Sequence, residues 1–262
     1  VAALIIPDRR WEVPDLFRPY HKPWATELRP EPGDPLTRNL RMAVFPWRPL
    51  VRNWGDGYSV RIVDQQVLDA NGGTIVSTPY GPAMEGEQTP NKAQGYETIS
   101  ERPEIVAPFS FYAVMWLHTA PSTGVLLVPL MQSGNIGDIL YFAFTPFTMH
   151  AKYVRNYAGV TLNGAASFSD NVTGGDLYVA VARAQSATSH SFTGLKVRTQ
   201  NRITDTDTTD ISGVSFIDMT RFWISYDGRI GSTLAFAIWD FDIGDAQEER
   251  LLRRPFDWLV PV

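Results

Sequence analysis

Cysteine is absent from the 262 residues. That excludes disulfides, thiolate metal sites and cysteine nucleophiles, and it leaves stability to packing without deciding a redox compartment. Charge is sparse: Asp, Glu, Lys and Arg make up 19% of the chain, with a formal net charge of -5. Such a balance offers no basic field to draw in nucleic-acid phosphates. Long apolar runs are missing too, since Val125 to Met131 and Ile139 to Phe147 are short and are cut by Pro129 and Pro146; neither could cross a bilayer as a helix. Val1 to Ile6 is apolar but lacks the basic leader and cleavage site of a secretory signal. Catalytic signatures are equally scarce. There is no Gly-x-Ser-x-Gly elbow, no Walker loop and no HExxH spacing. His21, His118, His150 and His190 are far apart, and the doublets Gly72-Gly73 and Gly174-Gly175 read as turns.

What remains is apolar and aromatic material, at 44% hydrophobic and 12% aromatic residues, enough for a packed interior. Residues 1–36 stand apart. Pro7, Pro14, Pro19, Pro23, Pro30, Pro32 and Pro35 alternate there with Trp11, Phe17, Tyr20 and Trp24. Proline holds φ near −65° and biases its predecessor toward extended geometry, so this segment is expected to be an extended arm. Its rings distinguish it from a disordered linker and suit it to docking on this or another subunit.

From Leu40 onward, short apolar runs are punctuated by Gly, Pro, Asn and Asp, the pattern of strands rather than helices. The runs are Leu40 to Phe45, Tyr58 to Val63, Ala107 to His118, Gly124 to Met131, Asp138 to Phe144, Ala151 to Tyr157, Asp176 to Ala184, Leu195 to Arg198, Thr220 to Tyr226 and Ser232 to Trp239. Their spacing suits a double-sheet sandwich, and the near-continuous run Phe109 to His118 suits its centre. One helix is expected at Asp245-Ala-Gln-Glu248, spaced as a capping box, with Arg250, Arg253 and Arg254 near its carbonyl end and Pro255 as its stop.

The ending Gly231 to Pro261 carries Ala237-Ile-Trp239, then Asp245-Ala-Gln-Glu248, then Pro255-Phe-Asp-Trp-Leu259. It resembles the close of concanavalin A-like, LamG-like jelly rolls in phage proteins. Thr78-Pro-Tyr-Gly-Pro-Ala-Met-Glu-Gly86 is similar to an early strand of that family and Ala107 to Trp116 to a later one, in the family's order. The late Asn-Gly hairpin of the family is not matched, its nearest counterpart being Asp176 to Val181. With a Pro-rich start containing Leu16 to Trp24, the chain resembles virion proteins encoded among the head and tail genes of tailed phages.

The superfamily includes glucanases, which place two carboxylates about 5–5.5 Å apart for retention. Their Glu-x-Asp-x-x-Glu run is absent, and the alternating Glu85 and Glu87 flank Gly86 as a turn would. Asp205, Asp207 and Asp210 read as a Thr-rich acidic loop, and Asp240, Asp242 and Asp245 as a cluster after the last long strand. Either could face Ca²⁺, yet neither has EF-hand spacing, and local backbone hydrogen bonding is the ordinary role of such residues. Trp47, Trp54 and Tyr58 are the candidates for stacking on a sugar ring.

The expectation is thus an all-β, two-sheet antiparallel jelly roll over residues 37–262, with an arm at 1–36 and one short C-terminal helix. Its expected role, implied by the resemblance, is that of a non-enzymatic virion structural protein, on head or tail, that assembles with other virion proteins and with itself. Trp11, Phe17, Tyr20 and Trp24 would be the assembly residues. The alternative is a lectin-like module for glycans, and a glycoside hydrolase comes third. No cofactor, metal, nucleic acid or membrane is expected as a partner.

Overall fold

The computed structural model describes residues 20–22, 27–47, 51–53, 60–64, 74–85, 94–98, 106–121, 126–133, 139–154, 164–167, 169–211, 219–225 and 231–262. Two antiparallel sheets dominate them. The central sheet runs in the order β15 (Asn201–Asp207), β14 (Ser189–Lys196), β13 (Asp176–Ser186), β8 (Phe109–Leu117), β17 (Gly231–Trp239), β6 (Gly81–Glu85) and β5 (Thr74–Thr78), and β2 (Leu40–Val44) pairs with another stretch of β17. The facing sheet runs β12 (Gly164–Ser167), β11 (Thr148–Val154), β10 (Ile139–Phe144), β9 (Leu126–Ser133), β16 (Met219–Ser225), β7 (Gln94–Thr98), β4 (Val60–Asp64) and β3 (Val51–Asn53). A ribbon of β1 (Leu28–Pro30) with β18 (Leu259–Pro261) and a helix α1 (Gly244–Arg253) complete the architecture.

Side chains of a strand alternate between faces, and β8 uses both for burial. Phe109, Phe111, Ala113, Met115 and Leu117 point into an inner core shared with Phe142, Phe144, Met149 and Ala151 of the facing sheet. There Phe111 and Phe142 stack with centroids 4.4 Å apart. Tyr112 and Val114 point the other way, into an outer core closed by Leu28, Leu36, Leu251, Leu252, Phe256 and Trp258. The near-continuous apolar run of β8 thus reflects a strand at mid-sheet with a layer on each side. The expected all-β, two-sheet antiparallel architecture with a short C-terminal helix is what the chain adopts.

Several boundaries differ. The strand expected at Leu195 to Arg198 begins at Ser189, and residues 197–200 form a turn. Asp205 and Asp207 lie on β15 rather than in a loop, because pairing with β14 overrides their weak strand propensity. The capping box does not form: Ile243 is the N-cap with no side-chain cap, while Gly244, at φ +77°, turns the chain into the helix. Glu248 is instead buried against the sheet.

The expected arm is joined to the body over its described C-terminal part. β1 pairs with β18, Leu36 is buried, and the Leu36 carbonyl accepts a 2.6 Å hydrogen bond from Trp239 Nε1. Arg250 binds the Asp34 carboxylate through both terminal nitrogens. Tyr20 packs on the outer core, so its ring is used within its own chain; Trp11, Phe17 and Trp24 lie outside the described residues. Lys22 is 7% exposed, and its Nζ donates to the carbonyls of Pro46 at 2.9 Å and Pro82 at 3.0 Å. Burial lowers its pKa to about 7, and the neutral amine still has two N–H groups for those carbonyls.

Two outcomes follow from this seam. A chain starting at residue 37 loses the burial of Leu28 and Leu36 and should be less stable by about 3–6 kcal/mol than one starting at residue 20, measured by urea unfolding. Equal stabilities would show that the seam contributes nothing. For Lys22, the unfolded amine titrates near 10.5 and the folded one near 7, so between those values the unfolded chain binds more protons and stability rises with pH. The stability difference between wild type and Lys22→Met should therefore shift in favour of wild type, by up to about 1.4 kcal/mol per pH unit, from pH ~7 to ~9.5. A difference that stays flat across that range would contradict the burial of the amine.

Candidate functional site

The outer face of the central sheet is covered unevenly. At the Phe109 end of β8, the helix and the C-terminal segment close over it: Tyr112 Oη donates to the Pro255 carbonyl at 2.7 Å, and Trp258 packs on Phe45, Tyr112 and Trp239. At the opposite end the rings are only half-buried. Trp116 lies beside Tyr80 at 5.4 Å and beside His118 at 6.4 Å, edge to face, while His21 lies 5.4 Å from Tyr80 on the other side.

Register explains why these residues meet. Trp116 of β8 pairs with Ser232 of β17, which pairs with Glu85 of β6, so all three share one face in a row across three strands. His118 continues that face; its Nε2 is 2.6 Å from Ser232 Oγ and 3.7 Å from Glu85 Oε1. The His118 and Glu85 side chains are 28% and 18% exposed, which leaves polar atoms within reach of solvent beside the rings. Burial and the Asp176 carboxylate raise the Tyr80 phenol above its usual pKa, so it remains a neutral hydroxyl near neutral pH. Tyr20 flanks the patch, held by a 3.4 Å contact to Gln200. The arrangement offers apolar ring surfaces next to a carboxylate, an imidazole and hydroxyls, which can bind a ligand with one apolar face and several hydroxyl groups.

Sequence reasoning placed sugar stacking elsewhere. Trp47 is partly buried against the inner core, and Trp54 and Tyr58 lie outside the described residues. Trp116 belongs to the apolar run Phe109 to His118, expected at the centre of the sandwich; its ring reaches the surface because the helical cover ends before it. Glu85 ends a strand rather than a turn, and Glu87 lies outside the described residues. The acids after β17 are engaged by arginines: Asp240 by Arg41, and Asp242, Asp245 and Glu248 by Arg183. Glu248 Oε1 also accepts from Thr193 Oγ1 at 2.5 Å. Although burial raises the cost of charging Asp242, hydrogen bonds from Arg183 and the Gly244 amide hold its pKa below the usual carboxylate value. Among the described residues, no three His, Asp or Glu side chains converge as a metal's ligand set.

No family model and no curated protein match the sequence. Solved structures do match the fold. The binding domain of Paraclostridial Mosquitocidal Protein 1 aligns with a TM-score of 0.60 at 11% identity, over 85% of this chain and 53% of that one. The binding domain of Botulinum neurotoxin DC, solved with rat synaptotagmin II, aligns at 0.59 and 9% identity, over 82% and 51%. A sialidase of Trypanosoma rangeli, in complex with 2,3-difluoro-KDN, aligns at 0.54 and 9% identity, over 84% of this chain and 33% of the enzyme. The fold is a lectin-like jelly roll. The chain spans from a third to about half of the length of these structures, and at such identities the likeness is one of fold.

The Arg183 network ties the jelly roll's helix to its sheet. Arg183 is 5% exposed and Glu248 is 6% exposed, so removing the cation strands a buried carboxylate. Arg183→Met should lower stability by about 3–5 kcal/mol in urea unfolding. The Asp245 side chain is 93% exposed, and Asp245→Asn should cost less than about 1 kcal/mol. Equal losses in the two variants would refute this division of labour.

Proposed function

We propose that this chain is a non-catalytic binding module that recognises a glycan through the open end of its central sheet, with Tyr80 and Trp116 as ring platforms, Glu85 and His118 as hydroxyl partners, and the buried Ser232 bonded to His118 beneath them. The observation that carries this reading is the row Glu85, Ser232 and Trp116 beside His118 and Tyr80, where aromatic surface and hydrogen-bonding atoms lie together at the edge of the helical cover. Pyranose rings present C–H faces to aromatic side chains and hydroxyls to carboxylates and imidazoles, and that combination of partners is what the patch supplies. Fold supports the same direction by analogy: two of the similar structures are binding domains and one is a sialidase. The non-catalytic part rests on the sequence, which lacks the paired-acid run of the glucanases. A place on a virion, supported by the resemblance of residues 231–261, is compatible with a glycan-binding role; copurification with particles tests it.

A glycan array probed with the whole chain should show a defined set of ligands, and a titration with one of them should weaken about tenfold or more in Trp116→Ala and in Glu85→Gln. Thermal unfolding identifies any variant that loses binding by losing its fold, and Glu85→Gln, the milder change, then decides. An array without ligands, or variants that bind as wild type does, would overturn the proposal.

A further inference from the structure

Residues 20–22 are fastened to the body at three places. At the turn between β5 and β6, the Lys22 backbone N–H donates to the Tyr80 carbonyl at 2.8 Å and its Nζ to the Pro82 carbonyl at 3.0 Å. Nζ also donates at 2.9 Å to the carbonyl of Pro46, beyond the end of β2. The stem of Lys22 lies against Gly81, where an added Cβ would come within 2.8 Å of the Lys22 Cβ, so glycine is what lets the segment approach this closely. At the turn after β14, Tyr20 Oη accepts at 3.4 Å from Gln200 Nε2, which also donates to the Val197 carbonyl at 2.7 Å.

These contacts decide what the segment presents. Lys22 is 7% exposed, whereas Tyr20 and His21 are only half-buried. Tyr20 packs on the outer core, as Tyr80 and Trp116 do, and the His21 ring lies beside that of Tyr80. His21 thereby extends a series of neighbouring rings, His21, Tyr80, Trp116 and His118, with successive centroids 5.4, 5.4 and 6.4 Å apart. A sugar ring is about as wide as one aromatic side chain, so four rings offer more surface than a single pyranose covers. The Tyr20 hydroxyl, the His21 imidazole and the Gln200 amide add hydrogen-bonding atoms of their own.

We propose that Tyr20 and His21 form one wall of the glycan site, that Lys22 positions this wall, and that the completed site takes two or more linked sugars rather than one. This inference rests on the glycan reading of the patch. A segment that served only to close the core would bury its rings; here the anchor is buried and the rings on its N-terminal side keep solvent-facing surface. Pro19 and Pro23 flank the tripeptide, and proline restricts the unfolded chain, which lowers the entropy lost when the segment is held against the sheet.

The test applies the full chain to a printed array of monosaccharides and of oligosaccharides built from them, followed by calorimetric titration of the strongest oligosaccharide and of its terminal sugar alone. The oligosaccharide should bind at least about tenfold more tightly than the single sugar. His21→Ala and Tyr20→Ala should each weaken the oligosaccharide about fivefold or more, and Lys22→Ala by a similar factor. In a chain that already carries His21→Ala and Tyr20→Ala, Lys22→Ala should add no further loss, because a positioning residue acts through the rings it holds. A further loss there would show that Lys22 acts on the fold at large and would end its positioning role. Thermal unfolding identifies variants that lose their fold, and His21→Ala, the substitution of a half-exposed ring, then decides. A single sugar that binds as tightly as the oligosaccharide, or a folded His21→Ala chain with wild-type affinity beside a weakened Trp116→Ala chain, would overturn this inference and leave the glycan reading standing. An array without ligands would overturn both.

Discussion

Eight of the nine side chains of β8 are buried, and Trp116 is the exception. A strand sends alternate side chains to opposite faces, so this one segment requires an apolar layer on each side of the sheet it centres. The facing sheet provides one. The other is assembled from parts that are far apart in the chain: Leu28 and Leu36 from the N-terminal segment, Leu251 and Leu252 from the helix, and Phe256 and Trp258 from the segment that follows it. The candidate site arises where one of these layers stops. The aromatic patch lies where the outer cover ends.

Charged groups within this framework are paired at the seams between layers. Arg183 joins β13 to the helix through Asp242 and Glu248, Arg250 joins the helix to Asp34, and Lys196, 1% exposed, reaches Asp170 Oδ2 at 2.9 Å. Buried pairs of this kind add little net stability compared with apolar replacements, but losing one partner is costly, so they define which packing of the layers is tolerated. The same logic accounts for the acids after β17. Their spacing resembles a ligand set, and their partners are arginines more than fifty positions away in the sequence.

Local patterns were informative wherever burial follows a period of two. The runs now seen as β2, β8, β13 and β17 were legible because long apolar segments bounded by turn residues have few other uses. Strands such as β1 and β15 were not, and β6 was marked by the family resemblance of Thr78 to Gly86 rather than by its own pattern. Leu28 to Pro30 is only three residues, with a charge and a proline among them, Gly81 to Glu85 begins with Gly-Pro, and Asn201 to Asp207 is mostly polar. Each is a strand because a partner strand offers its backbone hydrogen bonds, an effect of tertiary context on propensity. The capping box failed for a related reason: the Arg183 guanidinium and the Thr193 hydroxyl offer Glu248 stronger partners than its own N-cap amide.

What the sequence determined alone is the class of the molecule: a cysteine-free, low-charge, apolar chain of short strands, with one helix placed near Asp245, has few packings other than a sandwich. What the tertiary structure decided is where chemistry can occur. Trp116 reads as core in the sequence and is half-exposed in the fold, because exposure depends on how far a helix more than one hundred residues away extends across the sheet. Glu85, Trp116 and Ser232 are distant in the chain and come to lie in one row only through strand pairing. Local sequence carries the period of burial, whereas a site is a coincidence of distant residues in space, and only the pairing of strands and the packing of layers create it.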